Sequence, residues 1–327
     1  MRDIRKKFLT ALPVTILLLI IVGSLSASVG AQKATTESGE GDGGRRGAVQ
    51  AITIPVTLRL PEKREAQPEL QYIDVFTVLE DGEKQEILAT RGAPRSPLTL
   101  EILIQDDLVS TVGNELKDIA DFIRRLPPGS RVMVGYLRVG ALQVRQKFTT
   151  DLERAAKSLR VPIGSPTVAP YNPYAETRDA IKRFESQPVG RRAVLLVSDG
   201  VDISRGLESS LPTQSTDLQR AINEAQRRGA AVYAIYAPTA GGANRTLISN
   251  GQGALDRLST ETGGRAFLRG IDTPVNFEPS LRDINSLLSK QFALTYLSTH
   301  GDKGFHKVRI VSDVGEGEIL HPTGYTR

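Results

Sequence analysis

The chain has 327 residues, 39% of them hydrophobic and 24% charged, with no Cys, no Trp and three His. That composition supports a sizeable core and excludes disulfide staples and thiol chemistry. Of the formal charge of +5, Arg2, Arg5, Lys6 and Lys7 against Asp3 supply +3, leaving +2 for the rest. No Lys/Arg block with interleaved aromatics follows, so nucleic acid is not an expected partner.

The first 31 residues read as a basic leader, an apolar run and a small-residue cleavage site after Ala31. That is the pattern of a secretory signal, or of an uncleaved membrane tether if it is kept. The expected location is therefore periplasmic, secreted, or anchored to the outer face of the inner membrane. Residues 32–48 are Gly-rich and polar, a linker.

Residues 51–95 predict a small antiparallel β unit. Ile52, Ile54, Val56 and Leu58 alternate with polar residues, Pro55 points to a sheet edge, and Asp81-Gly82 separates two strand-like runs. Residues 96–290 change texture to strands alternating with helices. "LTLEILIQ" is an apolar strand, and Val112, Leu116, Ile119, Ile123 and Leu126 follow at helical spacing. "RVMVGYLRV" and "LQVRQKFT" form a hairpin around Gly140; "RRAVLLVSDG" and "AAVYAIYA" are further strands, the second preceded by a helix. The glycine-rich "TAGGANRTLISNGQG" reads as a surface loop. Residues 291–327 return to β texture and are expected to pair with the N-terminal β unit. The predicted fold class is thus α/β, a doubly wound, mostly parallel sheet with a flanking β unit built from both termini.

In such sheets ligands bind at the carboxyl ends of strands, where Asp106 and Asp199 both fall. Aspartyl phosphoryl transfer would need a second acid at Leu108. Nucleotide binding would need a Gly-rich fingerprint after the first strand, and none occurs. Hydrolysis lacks a Cys or a G-x-S-x-G elbow, and His300, His306 and His321 all lie in the β tail, where they read as surface strand residues. Oxygen ligands at strand ends suit Mg²⁺ or Mn²⁺, with a partner's carboxylate filling an open position.

The segments "FTVLEDGEKQEI", "DDLVS", "VLLVSDG", "FALTYLSTHGDKGFHKVRI" and a terminal "GYT", in this order, resemble the von Willebrand factor A-related domain family of Acidobacteria. The resemblance implies a von Willebrand A-like fold, a non-enzymatic binding role, and a metal-ion-dependent adhesion site. Carried over, Asp106 and Ser110 match the first aspartate and last serine of D-x-S-x-S, and Asp199 the second aspartate. Leu108 stands where the middle hydroxyl belongs, and Ala175 stands at the threonine position, with Thr177 two residues out of phase. The expectation is a degraded Mg²⁺ or Mn²⁺ site of Asp106, Ser110 and Asp199 that engages a protein partner, with Asp107 pointing away and Leu108→Ser restoring a ligand. The alternatives are a metal-assisted hydrolase using Asp106 and Asp199, and a purely structural envelope protein.

Overall fold

A computed structural model describes residues 49–59, 75–170, 172–268, 275–312 and 317–327. The predicted leader and linker lie outside the described residues. Among those described, no helix is long and apolar enough to cross a membrane.

The structure has two sheets. The first is α/β, with strands β4 (Thr99–Gln105), β5 (Arg131–Arg138), β6 (Ala141–Thr149), β7 (Arg192–Ser198), β8 (Ala230–Tyr236) and β9 (Ala266–Phe267) in the order β6-β5-β4-β7-β8-β9. All neighbours are parallel except β6, which returns antiparallel from β5 through a tight turn. That turn has positive φ at both Val139 and Gly140, the geometry whose twist matches paired strands. Its six strands follow the doubly wound order, and the fold is von Willebrand A-like.

Helices cover both faces, as a parallel sheet requires. On one side lie α1 (Val112–Arg124), α2 (Leu152–Lys157) and α6 (Glu278–Ser289), packed on Leu100, Ile102 and Ile104 of β4. On the other lie α3 (Pro173–Ile181), α4 (Thr216–Arg228) and α5 (Arg245–Glu261), packed on Leu103, Val194 and Val232. Side-chain caps start four of these helices: Asp151, Asn172, Ser215 and Asn244 each accept a backbone N–H of the first turn. The glycine-rich segment expected as a loop is in part α5. Its Asn244 cap and the apolar stripe of Leu255 and Leu258 outweigh the helix cost of Gly251 and Gly253.

β4 is buried along its whole length, Glu101 included. Burial holds the Glu101 carboxyl well above the ordinary carboxylate range, against the opposing pull of Arg183 and Arg192.

The second sheet is antiparallel and built from both ends of the chain: β1 (Gln50–Arg59), β2 (Phe76–Glu80), β3 (Glu83–Arg91), β10 (Gln291–Ser298), β11 (Phe305–Ser312), β12 (Glu318–Leu320) and β13 (Gly324–Thr326), ordered β12-β1-β10-β3-β2-β11-β13. The Asp81-Gly82 hairpin forms as expected, both residues at positive φ. Pro55 pairs with Ala293 on one side, while β12 covers only Thr57–Arg59 on the other, so the missing N–H of Pro55 breaks no ladder. The sheet abuts the α/β part closely enough that a Cβ on Gly229, which ends α4 at φ +60, would meet the Thr53 carbonyl at 2.5 Å.

Candidate functional site at the strand ends

β4 ends at Gln105 and the turn that leaves it begins with Asp106 and Asp107, all three buried. Successive side chains on a strand point to opposite faces, so Asp106 is sent one way and Gln105 and Asp107 the other.

Asp106 is fully buried, and its carboxylate takes both terminal nitrogens of Arg160 at 2.7 and 2.8 Å plus the Ile163 amide at 3.1 Å. Arg138 stands 3.9 Å away. The Arg160 guanidinium also lies over the Tyr136 ring, 4.1 Å from its centroid. A fixed organic cation therefore occupies the carboxylate that the sequence assigned to a metal. Both oxygens of Asp106 are thus engaged by Arg160, with the Ile163 amide on Oδ1 and Arg138 beside Oδ2, so its charge is met by the protein's own cations.

Ser110 is exposed, and its carbonyl accepts the Gly113 amide at 2.9 Å. The N-cap of α1 is Thr111, with no side-chain cap bond. Leu108 is wholly buried in the hydrophobic cluster under α1 and bridges to Thr239. Thr177 donates to the Pro173 carbonyl at 2.8 Å within its own helix. Of Asp106, Ser110 and Asp199, only Asp199 lines the cavity at the strand ends.

Asp107 joins it there instead, contrary to the expectation that it points away. The cavity, about 320 Å³, is lined by Gln105, Asp107, Asp199, Val201, Thr239 and Leu247 among others. Gln105 ties the two acids together: its amide donates to Asp107 Oδ1 at 2.8 Å, and its carbonyl accepts from the Ser198 hydroxyl at 2.5 Å and the Asp199 amide at 3.3 Å. Asp199 Oδ1 accepts the Val201 amide at 3.0 Å. The Gly200 backbone turns at φ +71, where a Cβ would meet the Gly251 carbonyl at 2.4 Å, and a Cβ on Gly251 would meet the Asp199 carbonyl at 2.2 Å. Two glycines thus let α5 press directly on the acidic loop. Beyond it, Asp202 accepts from the hydroxyls of Ser204 and Ser215, both at 2.7 Å, which pins the loop to the start of α4.

Burial, and then the charge of Asp107, push the Asp199 carboxyl up to about 7 against the opposing Val201 amide bond. Asp107 is raised too, by burial first, with the Gln105 bond opposing. Among the described residues no Lys, Arg or His lies within ion-pair distance of either carboxylate, and none is among the leading influences on them. The two acids crowd one cavity without a counter-charge at hand, which is why both hold their protons more tightly than a free carboxyl.

A raised acid is favoured in its protonated form by folding. Asp199 therefore binds a proton in the folded state between about pH 4 and about pH 7 that the unfolded chain has released. The slope is then negative, and stability falls as pH rises through that window. Asp199→Asn is expected to be more stable than the parent at pH 8 and to show a flatter profile from pH 5 to 8, read as thermal midpoints.

No family model and no curated protein matches this sequence. Similar solved structures include an aerotolerance-related membrane protein from Bacteroides fragilis, at 14% identity over 59% of this chain and 99% of that one with TM-score 0.39. BatB from Bacteroides thetaiotaomicron follows at 13% identity, 59% and 98% coverage and TM-score 0.40. The VWA domain of SpRpn10 is 14% identical, covering 58% of this chain and 95% of that one at TM-score 0.38. The strand order, rather than these distant likenesses, defines the fold.

Proposed function

We propose that this chain is a non-enzymatic binding module that engages a protein partner through the strand-end face, with Asp107 and Asp199 as the centre of recognition. The observation that carries this reading is two nine-tenths-buried carboxylates opening on one cavity with no counter-cation among the described residues. Keeping such a pair uncompensated costs stability, so a cation supplied on binding is the economical explanation.

The donors present fit a hydrated divalent ion: two carboxylates with water in the remaining positions, the way Mg²⁺ or Mn²⁺ is usually held. The site as the sequence reading composed it, Asp106 with Ser110 and Asp199, does not fit, because Arg160 holds Asp106. The ligand set we propose is Asp107 and Asp199. Titration of the purified protein with Mg²⁺ and Mn²⁺ tests it. Binding should be lost in Asp107→Asn and unchanged in Ser110→Ala. Equal affinity in all three proteins would remove the Asp107–Asp199 centre.

Gln, Thr, Pro, Gly and aliphatic residues surround the pair, and the three histidines lie in or beside the other sheet, which supports binding over hydrolysis. A screen against phosphoesters and peptides decides that point: turnover abolished by Asp199→Asn would make the chain an enzyme. The leader supports export, and fractionation of expressing cells separates a cleaved form from a tethered one.

A further inference from the structure

The second sheet brings together the segments "FTVLEDGEKQEI" and "FALTYLSTHGDKGFHKVRI". Glu80 and Asp81 close β2, His306 enters β11 opposite them, and the chain leaving β10 brings His300 alongside. The Asp81 amide donates to the Lys307 carbonyl at 2.9 Å, and the Lys307 amide to Asp81 Oδ1 at 2.8 Å, so backbone fixes the meeting.

Three features of this cluster point to a ligand. Glu80 is fully buried; its Oε1 accepts from Ser298 and Tyr325 at 2.9 and 2.8 Å, but its Oε2 has no partner. A buried carboxylate oxygen left unpaired beside a second acid is costly. His306 places Nε2 at 2.9 Å from the Asp302 carbonyl and so turns Nδ1 inward, 2.8 Å from Asp81 Oδ2 and 3.7 Å from Glu80 Oε1. That is how proteins orient a metal-binding imidazole, with the far N–H on a carbonyl. Finally, His300 Nδ1 is buried without a hydrogen bond, 3.6 Å from Glu80 Oε1.

We propose that Glu80, Asp81 and His306 form a Zn²⁺ site, with His300 completing a four-ligand shell. Ligand atoms of the first three all lie within 4.8 Å of one another. A tetrahedral Zn²⁺ shell needs them about 3.4 Å apart, given bonds of about 2.0–2.2 Å. His306 Nδ1 and Glu80 Oε1, 3.7 Å apart, are near that spacing, whereas Asp81 Oδ2, 2.8 Å from Nδ1, has to move outward as the ion replaces its hydrogen bond. Asp81 sits on a turn with its side chain 36% exposed, which gives the ion a way in. Mixed imidazole and carboxylate donors select Zn²⁺ over Mg²⁺ and Ca²⁺, which take oxygen shells. Once bound, the ion ties the β2–β3 turn to β11 and to the chain after β10. It would staple a cysteine-free sheet that no disulfide can hold.

The test is calorimetric titration with Zn²⁺ and separately with Mg²⁺ of chelator-treated Asp107→Asn protein, which lacks the strand-end centre and serves as the parent here, alongside thermal midpoints and the visible spectrum with Co²⁺. The expected result is one Zn²⁺ bound, a raised midpoint with Zn²⁺ only, and an intense tetrahedral Co²⁺ band. His306→Gln and Glu80→Gln should abolish binding, and His300→Gln, which leaves three protein ligands, should weaken it. If His306→Gln fails to fold, the Co²⁺ band of the parent and the partly exposed His300→Gln still decide. No Zn²⁺ bound by the parent, an octahedral Co²⁺ spectrum, or affinity unchanged in His300→Gln and Glu80→Gln would each overturn the proposal. The strand-end site shares none of these residues, so neither result bears on it.

Discussion

Arg160→Ala is expected to cost about 3 kcal/mol, because it strands a fully buried carboxylate. Asp106 then keeps only the Ile163 amide and the more distant Arg138 guanidinium. Removing one member of a buried pair is worse than removing both, since the survivor is left with its desolvation uncompensated. The double variant Asp106→Asn with Arg160→Ala should therefore be more stable than Arg160→Ala alone, a coupling read from a double-mutant cycle of urea midpoints. The same substitution should leave the affinity of Asp107 and Asp199 for Mg²⁺ or Mn²⁺ largely intact, since Arg160 acts on the opposite face of β4. Loss of cation binding together with Arg160 would show that the two faces act as one site.

Leu108→Ser should destabilise by about 3–5 kcal/mol and bring no gain in cation affinity. On the sequence alone the opposite is expected, because the pattern reserves that position for a hydroxyl ligand. In the fold, Leu108 is fully buried among the residues under α1 and held by the bridge to Thr239. A serine there leaves a cavity where leucine atoms packed and buries a hydroxyl among aliphatic groups. Denaturant midpoints measure the first effect and Mg²⁺ titration the second; a tightened Mg²⁺ affinity would return the metal site to the Asp106 register.

These two expectations differ from the sequence reading by one residue of register. Asp106 and Asp107 are adjacent, and a one-residue step on a strand exchanges faces. In a strand with one wet face, alternation of polar and apolar residues would have settled which acid faces the cavity. β4 is buried on both faces, so "LTLEILIQ" reads as continuous hydrophobicity and carries no such signal. One clue was available: Glu101, Gln105 and Asp107 share a parity, and polar residues inside a buried strand gather where they can be satisfied. Arg160, which claims Asp106, lies 54 positions away after α2, and nothing local announces the pairing.

The histidines make the same point. As sequence they are three residues of a polar tail, read as surface positions. His306 is instead 5% exposed, placed against Asp81 by the pairing of β11 with β2. The acid and the imidazole are 225 positions apart. The glycine-rich segment fails for a related reason: Gly251 lowers helix propensity locally, but the close approach to the Asp199 carbonyl that requires a glycine is visible only once α5 is docked.

What the sequence determined by itself is everything written in local periods and turn chemistry. Alternation in β1, continuous apolar runs in β4, β7 and β8, helical spacing in α1, and the Asp81-Gly82 and Gly140 turns specify a doubly wound α/β sheet with a β unit from both termini. Each depends on neighbours within a few residues, whose preferences act before any tertiary contact forms. Only the tertiary structure decided which carboxylate meets which cation. That choice depends on the face each side chain takes and on groups brought from 54 to 225 positions away. A buried charge is governed by its nearest counter-charge in space, and spacing along the chain does not record it.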